Sequence, residues 1–248
     1  MRLVTIQASA FKSIFEVLKD ILNDVNLIFD KDGIHLFTLD NARSSLVQMH
    51  LEASKFETYE WTEYIECGIN FSNTFKLLKC ISSSDILEIQ VNNKEIINIM
   101  VFSENKKSKT NFSLKLLDIN ETKMTKNLEI KNTVTTILPS IDFQRLCRDM
   151  SNIGTTMNIH RKDSQIKFSV SGDFANQETV IETDHTDLDI EGSYPFKYLS
   201  IFTKATAMCS NVFIIQEKEN RFLVLKYDVA NLGEINFYIA SKIKDEDL

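Results

Sequence analysis

The sequence predicts an α+β fold of two tandem, similar domains, each pairing antiparallel strands with two short helices. The first observation is an internal repeat. Phe11–Leu18 returns in pattern as Phe143–Met150, Phe75–Ile81 as Phe196–Phe202, and Gly33–Thr38 more loosely as Gln165–Val170, in the same order. A period of half the chain is too long for a solenoid unit of about 20–50 residues, so it indicates duplicated domains. The second observation is alternation of apolar and polar residues in many short runs, the signature of half-buried strands. The third is composition. With 248 residues, 43% hydrophobic and 25% charged, the chain can bury a core in each half, and two prolines and six glycines leave little flexible linker.

In chain order, the first helix carries Phe11, Ile14, Phe15, Leu18, Ile21 and Leu22 at one-faced spacing. Asn26–Asp30 and Gly33–Leu39 form a hairpin about Lys31-Asp32-Gly33, and Ser45–Leu51 is a third strand. A second helix spans about Ser72–Ile81, with Ser72 as its N-cap. Ile86–Val91, Ile96–Phe102 and Asn111–Leu117 complete the first half. A third helix starts after Pro139-Ser140 and a fourth near Pro195, since proline is tolerated in a first turn. Arg221–Tyr227 and Glu234–Ala240 are the closing strands. The expected domains are residues 1–117 and 132–248. Residues 118–131 are a polar, aperiodic connector, whose isolated apolar residues include Met124.

No apolar run approaches the roughly 18 residues of a membrane span, and Met1–Gln7 does not read as a signal peptide. The expectation is an intracellular protein with no membrane partner. Cys67, Cys80, Cys147 and Cys209 are too widely spaced for a metal site and are expected to be buried free thiols. A net charge of −7 excludes a uniformly basic nucleic-acid coat, but not a localised basic stripe.

Several segments carry a family likeness: Glu16–Asp20, Ser45–Gln48, Leu77–Cys80, Leu146–Gly154, Phe202–Thr206 and Tyr238–Glu246. In order and at nearly the family's spacing, they make the chain resemble proliferating cell nuclear antigen, the eukaryotic-type DNA sliding clamp. The likeness spans nearly the whole length. It implies two tandem clamp domains per chain and a ring of three chains. Outer antiparallel sheets would form the wall, and four short helices per chain would line a channel for double-stranded DNA. It also implies a polymerase, other proteins with short clamp-binding motifs, and a clamp loader as partners.

The resemblance implies DNA-binding roles for Lys12, Lys19, Lys76, Lys79, Arg148, Lys197 and Lys204. Each alone could equally be an ordinary solvated helix cation; the case rests on both repeats carrying them on the same helices. A clamp that slides needs phosphate contacts without base readout, which flexible lysines suit. The subunit interface is expected between Asn111–Leu117 of one chain and the region Gln177–Thr183 of the next, with Phe112, Met150 and Ile153 contributing. A core role is the alternative for these three. The partner-motif pocket is expected at Leu39, Arg43, Leu46, Met124, Phe222, Tyr238 and Ala240. There Arg43, Ser44, Lys126, Phe222 and Ser241 depart from the family pattern, which suggests motifs with an acidic residue facing Arg43 or Lys126.

A metal-dependent hydrolase is the reading from a different class, resting on Asp184–Glu191 with His185. That segment lacks ligands from a second segment and reads as a solvated acidic loop. No catalytic residue, cofactor or metal is therefore expected. A subunit of a heterotrimeric checkpoint-type clamp, or a viral clamp-like accessory factor, is a closer rival. The expected location is the nucleus, or a cytoplasmic viral replication site for a virus-encoded chain.

Overall fold

The computed structural model describes residues 1–103, 105, 107–120, 130–219 and 222–242. The chain groups into two compact units. One gathers Met1–Asn41, Val47–Met124 and Asp228–Ile235; the other gathers Ala42–Leu46, Thr125–Tyr227 and Asn236–Leu248.

In the first unit, β1 (Arg2–Thr5) leads into α1 (Ala8–Leu18), then β2 (Asp24–Phe29), β3 (Gly33–Leu39) and β4 (Ser45–Glu52). After β5 (Thr58–Glu60) and β6 (Ile65–Asn70) come α2 (Phe71–Leu78), β7 (Ile86–Val91), β8 (Ile96–Ser103) and β9 (Ser108–Lys115). Five strands order as β5-β1-β7-β8-β9, and β4-β3-β2-β6 run side by side. The expected hairpin is present: Phe29 pairs with Ile34, and Asp30 Oδ1 accepts from the backbone of Asp32 and Gly33. Residue 33 must be glycine, because its φ is +143° and a Cβ would lie 1.9 Å from the Leu51 carbonyl oxygen.

The short strands β1 and β5 are additions to the sequence reading, and two further details differ from it. The N-cap of α2 is Asn70, not Ser72. Asn70 ends β6 in an extended conformation, and its side chain accepts from the Asn73 amide at 2.8 Å, so buried Phe71 already opens the helix. The ninth strand also sits about two residues earlier than expected. Register with β8 runs from Ser103 opposite Ser108 to Ile96 opposite Lys115, while the Leu117 amide turns to the Gly68 carbonyl at 2.8 Å.

The second unit holds β10 (Thr133–Pro139), α3 (Ser140–Ser151), β11 (Thr156–Ser171), β12 (Asn176–Pro195) and α4 (Phe196–Phe202). A 3-10 turn (Thr203–Ala207) and β13 (Asn211–Glu217) follow, and then β14 (Phe222–Val229) and β15 (Gly233–Ala240), of which Asp228–Ile235 group with the first unit. Strands β10-β13-β14-β15 run side by side, and β11 and β12 form a two-stranded ribbon. Both prolines cap helices where expected: Pro139 precedes α3 and Pro195 precedes α4. The acidic segment Asp184–Glu191 is not a loop but part of β12. His160 of β11 contacts Asp189 at 2.7 Å, and Asp189 also takes Lys162 at 3.0 Å. Above it the ribbon bulges around Arg161. That side chain is enclosed and donates to the carbonyls of Lys162, Asp163, Gln165 and Asp184.

The repeat is structural as well as textual. Phe11, Phe15 and Leu18 of α1 are buried, and so are Phe143, Cys147 and Met150 of α3. Phe75, Leu78 and Ile81 match Phe196, Leu199 and Phe202 in the same way. Of the four free cysteines, Cys67 and Cys147 are buried, whereas Cys80 is exposed and Cys209 half-buried, against the expectation of four buried thiols. Burial pushes the Cys67 thiol up to about 12. Asn70→Ala should lower stability by about 1 kcal/mol, read as a lower denaturant midpoint with unchanged slope.

Candidate nucleic-acid interface

In each half, two helices pack with their apolar faces inward and leave a polar face outside. In the first half the rings of Phe15 and Phe71 lie 5.0 Å apart and join α1 to α2. Lys12 Nζ donates to the Ile81 carbonyl at 2.8 Å, tethering α1 to the end of the second helix region. In the second half Gln144 stands at the repeat position of Lys12, and its Nε2 donates to the Thr203 carbonyl at 2.8 Å. The tether is thus common to both halves, and Lys12 spends its ammonium on it.

Lys19 and Lys79 cap the C-termini of α1 and α2, where a cation meets the negative end of the helix dipole. Both ammonium groups lie 5.5 Å from the centroid of the Phe75 ring, so the two helix ends bring them to one aromatic group. Lys19 also contacts Asp20 at 2.8 Å, and Lys76 is exposed with Nζ donating to Asn73 at 3.0 Å. On α3, Arg148 has 72% of its side chain exposed and only a 3.3 Å contact to Asp149. Lys197 is exposed at the start of α4, above the Tyr198 ring, and Lys204 is exposed in the 3-10 turn that follows.

Sequence reasoning missed Arg145. It is exposed on α3, three residues before Arg148 and loosely paired with Asp142 at 3.8 Å. The signal was available, because the repeat aligns Arg145 with Ser13, the position next to Lys12.

The expected interface residues fall in different places. Phe112 is half-buried on β9, the edge strand of the five-stranded sheet. Ile153 is half-buried just past α3. Met150 is 0% exposed and occupies the repeat position of Leu18, also 0%, so it is a core residue with no surface to offer a neighbouring chain.

The expected motif-pocket residues are each placed as follows. Leu39 is exposed at the end of β3, and Arg43 is exposed in the turn after it with a left-handed φ of 54°. Leu46 and Tyr238 are buried, Phe222 is half-buried and Ala240 is exposed at the end of β15. Met124 and Lys126 lie outside the described residues. Among the described residues no helix is long and apolar enough to cross a membrane, and no group of three or more His, Cys, Asp or Glu side chains could hold a metal.

Two antiparallel, helix-backed halves, each presenting cations on the outer face of its helix pair, match the class of DNA-clamp proteins in architecture. Comparison with known proteins agrees. Residues 2–124 match the proliferating cell nuclear antigen N-terminal domain and residues 126–242 its C-terminal domain. The chain is also 36% identical over 249 residues to the probable DNA polymerase sliding clamp 1 of Paramecium bursaria Chlorella virus 1, covering 95% of this chain and 94% of that protein. The chain belongs to the proliferating cell nuclear antigen family.

Met150→Ala should lower stability by about 2–5 kcal/mol through the cavity it leaves, read by thermal unfolding. At temperatures where the variant stays folded, its mass in solution should equal that of the parent; a lower mass would return Met150 to a subunit contact.

Proposed function

We propose that this protein is a DNA sliding clamp, a non-enzymatic processivity factor. Three chains close a ring around duplex DNA and hold a polymerase and other replication or repair proteins at their template. The observation that carries the reading is the match of both halves to the two domains of one clamp family, together with a viral DNA polymerase sliding clamp relative across 95% of the chain. In this reading residues 1–117 and 132–248 are the clamp domains, and 118–131 connects them.

The helix cations Lys19, Lys76, Lys79, Arg148, Lys197 and Lys204, joined by Arg145, face the channel and attract phosphates. Lys12 contributes charge from its tethered position. Attraction through mobile ammonium groups is independent of base sequence and falls with salt, which lets a ring slide. Affinity for DNA then comes from enclosure, and a ring offering several identical docking sites gains avidity for linked partners. Partners insert short motifs near Leu39, Arg43, Phe222 and Tyr238, with an acidic residue toward Arg43, and a clamp loader opens the ring. The working location is a site of DNA replication, nuclear or viral.

Primer extension on a circular template, with a clamp-dependent polymerase and a loader, tests this. The protein should lengthen products per binding event, while Phe112→Ala, with its edge contact removed, should leave them short. Unchanged product length with the parent protein would overturn the reading.

A further inference from the structure

A cleft opens on the first unit between residues 62–66, 91–96 and 115–119. None of its lining residues belongs to α1, to α2 or to the expected motif pocket. At about 1110 Å³ it exceeds the roughly 300–1,000 Å³ of a small-molecule pocket, so it has room for a stretch of peptide. The chain leaving β9 crosses it beside β6, where the Leu117 amide donates to the Gly68 carbonyl at 2.8 Å. A Cβ at residue 68 would stand 2.1 Å from the Leu117 carbonyl oxygen, so this close approach requires glycine. It leaves the Leu117 side chain 42% exposed.

The charges of the cleft are sorted by wall. One wall is the loop between β5 and β6, with exposed Trp61, Glu63 and Tyr64, and from residue 56 to 75 there is no lysine or arginine. The Tyr64 hydroxyl donates to Glu66 Oε1 at 2.5 Å, and exposed Asp118 follows Leu117. Another wall is the turn between β7 and β8. There Asn93 Oδ1 accepts from the Glu95 and Ile96 amides at 3.0 Å, which shapes the turn that carries Lys94 and Glu95. Lys115 stands opposite Ile96 in register, and the Met1 ammonium donates to the Val91 carbonyl at 3.1 Å on the same side. Among the described residues Glu63, Asp118, Lys94 and Lys115 have no ion-pair partner. Charges of both signs thus line one cleft without neutralising each other.

We propose that this cleft docks an extended segment of another protein that carries arginine at one end and a carboxylate at the other. A guanidinium stacks on an aromatic face and forks onto a carboxylate, which the Trp61–Tyr64 loop supplies with Glu63. The carboxylate end meets Lys94 and Lys115, and an apolar residue between the two ends covers Leu117. A uniformly basic or uniformly acidic segment sets like charges together at one wall and is disfavoured.

The full chain has one tryptophan, so Trp61 emission reports the cleft directly. Emission and calorimetry are read with two capped probe peptides, Arg-Val-Arg-Val-Glu-Val-Glu and its reverse. At least one probe should bind saturably, with a dissociation constant below about 1 mM and a shift in emission. Glu63→Lys with Asp118→Asn, Lys94→Glu, and Trp61→Ser (read by calorimetry) should each weaken binding about tenfold or more at unchanged unfolding temperature. Asp173→Asn with Asp187→Asn, which removes exposed acids of the second unit, should leave the affinity unchanged. No saturable binding of either probe would overturn the proposal. So would equal binding of an all-arginine or all-glutamate probe, or parent-like affinity in the cleft variants. A solution mass that falls on Trp61→Ser would give the cleft to a second copy of this chain instead, and overturn it too. Each of these results leaves the family assignment intact.

Discussion

The seating of each first helix on its partner helix decides where every cation of this protein stands. Phe15 packs between Phe11 and Phe71, and buried Phe143, Cys147 and Met150 do the same work in α3. A helix that commits one face to the core has one face left, and that face is where lysine and arginine can remain solvated. The tether from position 12 or 144 to the backbone after the second helix fixes the pair. Lysine performs that task in one half and neutral glutamine in the other. The bond therefore matters to packing, while the charge of Lys12 is a separate attribute. Lys19 and Lys79 show the converse: they gather at the Phe75 ring because both helices end there, which concentrates charge at a site where Lys79 is exposed and Lys19 half-buried.

Much of this was legible beforehand, and the reasons differ by element. Gly33–Leu39 and Ile86–Val91 were read with the bounds they have, since a turn glycine or strict alternation marks them. Pro139 and Pro195 announced α3 and α4 because proline fixes the residue before a helix in an extended form. Short strands such as β1 and β5 were missed; three or four residues carry too little periodicity, and pairing with β7 and between themselves forms them. The acidic stretch in β12 reads as a loop in the sequence because Ile190 is its one buried residue among carboxylates, and its pairing with β11 is not encoded locally.

The site was legible to a different degree. The family resemblance, not the repeat, supplies the candidate cations, whereas the repeat adds Arg145 and places Met150 in the core. Aligning position 150 with Leu18 places it in the core; aligning 145 with Ser13 places it outside. Edge status, by contrast, is not legible in the local pattern and came only through the family resemblance. Whether a strand ends a sheet depends on which strands flank it, a long-range property that local alternation does not encode.

In the proposed reading retention is topological: the protein would stay on DNA by surrounding it, with only weak attraction between its cations and the backbone. The most direct measurement compares retention on linear duplexes whose ends are blocked by a bulky protein after threading with retention on duplexes whose ends are left free, at a salt concentration that suppresses phosphate contacts. The account predicts lasting retention on the blocked duplex and rapid loss from the free one. Equal loss from both would contradict it.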